Sequence, residues 1–246
     1  MKKKITVLLR YPKVEKNQWK RELIEKLQEE GFEVSIIFGE KSYQRHAFAA
    51  LKDFGLEIFK KKSSIDQQKS VKLYSYFKDK IHVETVNDLN SSDCEKKIRK
   101  INPDYLLLLG SGIIRNNIIV LPKKGAIHCH HGYLPEVRGV STAEWSMYLG
   151  KDVYISTHFV DPGVDTGDIL LRKKIPLTPD DTITSVRLNC RLHSVDLIMD
   201  TFKLVESGDY EVIKQRPEEG VQYFLMHPFF KDLVNQKLKR IKAEAV

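Results

Sequence analysis

Three residues in this 246-residue chain are cysteine, at Cys94, Cys129 and Cys190. They are scattered, odd in number, and nowhere form a CxxC pair. That excludes a disulfide framework and the common structural zinc sites, and it predicts a reducing, cytoplasmic setting. No apolar run approaches the roughly 20 residues that a membrane helix needs, so no membrane partner is expected. The opening "MKKKITVLLRYP" has a basic flank but an apolar stretch of only about six residues, with no small-residue cleavage site after it, so it reads as a first strand. Internal repeats and low-complexity linkers are absent. There is no Cys/His finger spacing and no RNA-binding aromatic signature, so nucleic acid ranks low as a partner. The net charge of +8 therefore favours, at most, a phosphate-bearing small ligand.

What is present is an alternation of strand and helix patterns. "KITVLLRY" (4–11) and "EVSIIFG" (33–39) are buried strands flanking a helix with Trp19, Leu23, Ile24 and Leu27 at helical spacing, stopped at Gly31. A second helix is expected over 42–55, followed by a third strand, "LEIFK". Residues 60–80 read as a surface excursion in which "VKLYSYFKD" forms a short helix. Then come a strand at 81–86, a helix capped by Ser91 or Ser92, and the apolar strand "YLLLLG". Another strand lies in "GAIHCHHG", then "VYISTHFVD", "DILLRKKIPL", and a long helix from Thr182 to Ser207. Strands separated by helices in this way imply an α/β, Rossmann-like, open and mostly parallel sheet with helices on both faces. The economical division is one α/β domain over 1–207 and a C-terminal extension, 208–246, packed on it.

Ligands in such sheets sit beyond the carboxyl ends of strands. Three strand ends run into Gly- or Pro-containing loops, in "YLLLLGSGIIRNN", "IHCHHGYLP" and "HFVDPGVDTGD". The second carries three histidines in four positions. Strand alternation puts His128 and His130 on one face and Cys129 and His131 on the other, so the latter two are expected to pack. Asp165 is placed to approach His128 and His130. Two imidazoles and a carboxylate can hold a metal, although HxH alone is weak evidence and no metal ligand is assigned. They can also do general acid/base chemistry, the carboxylate orienting an imidazole beside a carbonyl under attack. Or they simply hydrogen-bond in a polar pocket.

"IHCHHGYLPEVRG", then Trp145, then "ISTHFVDPGVDTGDIL", resembles the folate-dependent formyltransferase family. The family's hallmark is an Asn-x-His strand end running into a Leu-Pro loop with Arg-Gly, then a Thr-x-His strand and an Asp-Thr-Gly turn. The likeness spans about residues 104 to 175. The tail "GVQYFLMHP" looks like a segment of the sugar N-formyltransferase branch. The resemblance implies 10-formyltetrahydrofolate as co-substrate, with His130 and Asp165 catalytic. It also implies that Gly112, Ile113 and Ile114, together with the Asp161–Asp165 loop including Val164, bind the pterin. In the implied mechanism an acceptor amine attacks the formyl carbon, His130 stabilises the oxyanion, and Asp165 orients it and assists proton movement. The expected acceptor is an amine on a small, phosphate-bearing molecule: an amino-sugar nucleotide first, glycinamide ribonucleotide second. Initiator tRNA ranks low because the chain looks short for the extra C-terminal domain associated with it. A homodimer is compatible with all of this.

The chain departs from the family at His128, where the motif has asparagine. A histidine also donates, through a ring N–H, but it is bulkier and titrates near neutrality. His128 therefore joins the catalytic candidates. Two alternatives follow from it: a non-catalytic folate- or nucleotide-binding relative, and a formyl or amide hydrolase. His158 reads as structural, Arg138 as a loop residue able to meet an anionic acceptor, and Tyr223 and His227 as parts of a docked tail.

Overall fold

The computed structural model describes residues 2–10, 17–40 and 72–244. The helix expected over 42–55, the strand "LEIFK" and most of the 60–80 excursion lie outside the described residues. The chain divides into two compact units, residues 1–124 and 125–246. Residues 208–246 lie in the second of these units.

In the first unit β1 (Lys4–Arg10) pairs in parallel with β2 (Glu33–Gly39) and with β4 (Tyr105–Leu108), and β2 pairs in parallel with β3 (His82–Val86). Ile5, Val7, Leu8 and Leu9 are fully buried, as the unbroken apolar run of a doubly covered strand requires. Helix α1 (Gln18–Glu29) buries Leu23, Ile24 and Leu27, and the chain leaves it through Gly31 at φ +90°. The short α2 (Leu73–Phe77) buries its two end residues. Helix α3 (Ser92–Ile101) begins where the Ser91 hydroxyl accepts from the Cys94 amide at 3.3 Å, and it ends at Asn102 in the left-handed conformation. One turn of helix, α4 (Asn116–Ile119), follows β4.

Two side chains set the loop between β4 and α4. The buried Lys20 ammonium donates to the Leu109 carbonyl at 3.0 Å, tying α1 to the end of the strand. Asn90 donates to the Ile113 carbonyl at 3.0 Å and accepts from the Arg115 amide at 2.7 Å, clamping the loop on both sides of Ile114.

The second unit is built differently. Strand β5 (Gly125–His130) pairs antiparallel with β7 (Val153–Phe159), which pairs antiparallel with β8 (Ile169–Ile175). Alternating strand and helix patterns led to an expectation of parallel βαβ units here as well. The segments joining these strands explain the difference. Short β6 (Val137–Gly139) and α5 (Thr142–Leu149) lie between β5 and β7, and a turn of loop lies between β7 and β8, so each strand returns beside its predecessor. Among the described residues, parallel strand pairings within the units outnumber antiparallel ones, four to two, the fourth being that of the short β6 with a strand of the tail. The fold is α/β and Rossmann-like, and the three-pairing parallel run β3-β2-β1-β4 lies in the first unit.

Helix α6 (Ile183–Ser207) starts at a Thr182 cap whose hydroxyl accepts from the Ser185 amide at 3.1 Å. It buries Val186, Cys190, Val195, Ile198, Phe202 and Val205. It covers the sheet face that carries Cys129 and Thr157: Cys129 Sγ lies 3.5 Å from Ser194 Oγ, and the Thr157 and Thr201 hydroxyls are 2.7 Å apart. The tail docks through β9 (Val221–Tyr223), paired in parallel with β6, and continues into α7 (Pro228–Glu244).

Replacing Ser91 with alanine removes the acceptor at the start of α3. The expected cost is about 1 kcal/mol, seen as a lower urea midpoint with an unchanged m-value; an unchanged midpoint would remove Ser91 as the cap.

Candidate functional site

The side chains with chemistry to offer meet on the face of β5 and β7 that α6 leaves uncovered. In the antiparallel register His128 stands opposite His158 and His130 opposite Ser156, so alternation puts all four on that face. The His128 and His158 rings meet edge-on, centroids 5.7 Å apart. Cys129 and His131 point the other way, as expected, and both reach Ser194; His131 Nε2 is 3.1 Å from its hydroxyl. Burial pushes the His131 imidazole down to about 3, which keeps it neutral beneath the helix.

Asp165 comes to this face from the loop after β7. Asp161 builds that loop, its Oδ1 accepting from the Gly163 amide at 3.1 Å and the Thr166 hydroxyl at 2.6 Å. Gln215 Nε2 donates to the Asp165 carbonyl at 3.2 Å. Asp165 itself is left-handed, φ +54°, a conformation that Asp tolerates better than most residues. Its carboxylate accepts from the Gly139 amide at 2.9 Å. His130 Nδ1 is 3.3 Å from Oδ2 and His158 Nε2 is 3.6 Å from Oδ1. The His130 and His158 side chains are 4% and 2% exposed, so these contacts are screened little by water.

The proton positions follow from what each ring nitrogen faces. His130 Nε2 lies 2.9 Å from the Val137 carbonyl and His158 Nδ1 lies 2.7 Å from the Phe159 carbonyl. A carbonyl only accepts, so each of these nitrogens carries the ring's proton. The other nitrogen of each ring, His130 Nδ1 and His158 Nε2, then turns toward the carboxylate. Burial drives the His130 imidazole below its ordinary value, against the pull of Asp165 and of the Val137 carbonyl. Burial works to raise the Asp165 carboxyl, but the charge that the imidazoles take up in acid, His130 first, more than offsets it and holds the group well below the usual carboxylate range. At neutral pH Asp165 is an ionised carboxylate beside a neutral His130.

Of the residues singled out in the sequence, His128, His130 and Asp165 come together, each with one ligand-type atom within 4.8 Å of the others. Asp161 shapes the loop, and Val164 is 36% exposed on it. Gly112, Ile113 and Ile114 belong to the first unit. Gly112 has φ +72°, Ile113 is 75% exposed, and Ile114 is buried and packs. Arg138 is buried and donates to the Gly220 carbonyl at 2.9 Å, holding the tail rather than offering its guanidinium to a ligand. Tyr223 lies against Trp145, ring centroids 5.3 Å apart, and His227 Nδ1 accepts from the Phe229 amide at 3.2 Å. His158, read from the sequence as structural, also faces Asp165. Its signal was the Thr-x-His spacing, which becomes informative only once β7 is known to run antiparallel to β5. A cavity of about 780 Å³ in the second unit is lined by Asp180, Asp181, Thr182, Arg187 and Lys231 among others, and His128, His130, His158 and Asp165 do not border it.

Gly139 has to be glycine twice over. Its φ is +96°, and a Cβ there would strike the Tyr223 carbonyl across the β6–β9 pairing. Gly139→Ala is expected to cost at least about 2 kcal/mol in a denaturant melt, from the left-handed backbone and the collision together. An unchanged midpoint would mean that β6 and β9 do not pair in solution.

With the geometry described, comparison with known proteins places the chain. A model of the formyl transferase family, described as "Formyl transferase", matches residues 14–200. A methionyl-tRNA formyltransferase of Caldanaerobacter subterraneus subsp. tengcongensis is 27% identical over 204 residues, 80% of this chain and 60% of that protein. The chain spans 40% to 60% of the length of the curated relatives it matches first. Among solved structures, an N-formyltransferase from Helicobacter canadensis, in complex with folinic acid and dTDP-3-aminofucose, superposes with a TM-score of 0.61 at 16% identity over 97% of this chain and 81% of that one. A phosphoribosylglycinamide formyltransferase from Bacillus halodurans does so with a TM-score of 0.62 at 14% identity over 84% and 97%. At such identities the structures establish a shared fold. The family model covers most of the described chain, and on that ground the protein belongs to the formyl transferase family.

Proposed function

We propose that the chain is an N-formyltransferase that moves a formyl group from 10-formyltetrahydrofolate to the amine of a small acceptor. The observation that carries this reading is the buried constellation of His130, His158 and Asp165, with half-exposed His128 at its edge, in a chain of this family.

The geometry supports a division of labour that differs from the motif-based expectation. His130 spends one nitrogen on Val137 and turns the other to Asp165, so it suits proton transfer better than oxyanion binding. As the acceptor nitrogen bonds to the formyl carbon, the amine proton passes to His130 Nδ1. The imidazolium so formed donates from both nitrogens, to Val137 O and to Asp165. The carbon–N10 bond then breaks and the proton goes to N10, leaving His130 neutral. General acid/base participation of this kind contributes about 10²–10⁴ in rate. The donor to the oxyanion falls to His128, which stands where the motif has asparagine. Val164, Asp161 and Asp165 are read as the donor-binding loop of the second unit. The likeness of Gly112, Ile113 and Ile114 to the motif is what supports a donor-binding role for that loop of the first.

For the acceptor, an amino-sugar nucleotide is the first reading, in keeping with the sugar N-formyltransferases among the structural neighbours, and glycinamide ribonucleotide is the second. The curated relatives add methionyl-tRNA, which length had ranked low.

Calorimetric titration with 5-formyltetrahydrofolate, on metal-free protein, tests the donor site. Binding in the micromolar range, about −8 kcal/mol, that is lost in Asp165→Ala is the expected result. Transfer to whichever acceptor is found should fall by at least about a hundredfold in His130→Ala. No binding at millimolar ligand sinks the folate reading.

A further inference from the structure

The proton arrangement around Asp165 leaves something unresolved. His130, kept neutral by burial, gives its ring proton to the Val137 carbonyl and so presents a lone pair to the carboxylate at 3.3 Å, and His158 Nε2 faces the same carboxylate at 3.6 Å. His158 Nε2 is wholly buried and has no hydrogen-bond partner among the described residues. A buried acceptor facing an anionic acceptor costs free energy unless something positive lies near them.

His128, His130 and Asp165 together meet the requirements of a metal site. A metal-bound histidine characteristically donates its distal N–H to a carbonyl or carboxylate, as His130 does to Val137. Tetrahedral coordination at about 2.05 Å sets neighbouring ligand atoms about 3.3 Å apart, and the distance from His130 Nδ1 to Asp165 Oδ2 is 3.3 Å. His128 supplies the third donor, all three ligand-type atoms lying within 4.8 Å of one another. Closing the widest gap to that tetrahedral edge takes a movement of at most about 1.5 Å. His128 and Asp165 are only partly buried, which gives an ion a way in.

We propose that His128, His130 and Asp165 form a binding site for a first-row divalent ion of borderline softness, Zn(II) by preference. Two imidazoles and one carboxylate select Zn(II) or Co(II) over Mg(II) and Ca(II), which want oxygen donors. Three protein ligands leave a fourth position open, the arrangement of reactive rather than structural zinc sites. An ion on His130 Nδ1 occupies the lone pair that takes the amine proton in the transfer reading, so the ion-bound and transferring states are alternatives; the inference stands on donor geometry and not on that reading. It gives His128 a reason to be histidine, because the asparagine of the family motif is a far weaker ligand for such an ion.

The test is calorimetric titration of chelator-treated, dialysed protein with Zn(II) and Co(II), with Mg(II) for comparison. One Zn(II) per chain is expected, with micromolar affinity or better, and Co(II) should give the intense visible bands of four- or five-coordinate imidazole-bound cobalt. His128→Asn and Asp165→Asn should each weaken Zn(II) by at least about tenfold, with thermal melts establishing that the variants are folded. Should either fail to fold, the loss of the His128 and His130 ring nitrogen lone-pair signals on adding Zn(II), read by nitrogen NMR on the unsubstituted protein, decides the matter. Absence of binding, equal competition by Mg(II), or uptake unchanged in both variants overturns the proposal. The 5-formyltetrahydrofolate titration is made without metal, so either result can fail while the other holds.

Discussion

One carboxylate organises the functional face of the second unit. Asp165 is brought there by a left-handed residue conformation and by a loop that Asp161, Thr166 and Gln215 hold from within. It is then pinned by the Gly139 amide. That hydrogen bond links two segments remote in sequence, the β6 turn and the loop after β7. Both ends of it are backbone-determined, since Gly139 is also where the tail strand β9 pairs. The docked tail is therefore more than decoration: its Tyr223 carbonyl and the Gly220 carbonyl, which receives Arg138, hold the turn that presents the Gly139 amide.

Around that anion the division of the strands into two chemical faces follows from packing. Helix α6 needs a surface that is apolar or able to satisfy small hydroxyls, and it takes Cys129 and Thr157 against Ser194 and Thr201. Alternation then forces His128, His130, Ser156 and His158 onto the opposite face. Histidine can serve on both sides because its two nitrogens answer to different neighbours. His131, adjacent to His130 in sequence, is kept neutral beneath the helix, whereas His130 is engaged at both nitrogens, by a carbonyl and by the carboxylate.

Much of this was legible in the sequence because the physics involved is local. The apolar run at Ile5–Leu9, the Ser91 and Thr182 caps, the stop at Gly31 and the two faces of "IHCHH" depend on period and on one or two neighbours. The convergence of His130 and Asp165 was legible through motif spacing. Three things were not. The antiparallel return of β7 beside β5 depends on the connection between them folding as β6 and α5, which short-range pattern does not reveal. The promotion of His158 follows from that register. The burial of Arg138 follows from the tail's return to β6, a contact between residues 82 positions apart.

His128 is where local rules and context part. As a lone substitution for asparagine it reads as a handicap, a bulky donor in place of a compact one. Set opposite His158 and within reach of His130 and Asp165, it becomes one of three imidazoles about a single anion. The neutral His130 has no proton left for Asp165, because the Val137 carbonyl already holds the one it carries. Two physical solutions exist. Either a proton enters and one ring becomes an imidazolium, which burial opposes, or a cation enters with a desolvation cost that the three donors repay. An amine acceptor arriving as a neutral nucleophile would supply the proton only in the course of reaction. A resting cluster that is short of positive charge is thus suited either to take that proton from substrate or to hold an ion, and asparagine at 128 would permit the first while forfeiting the second.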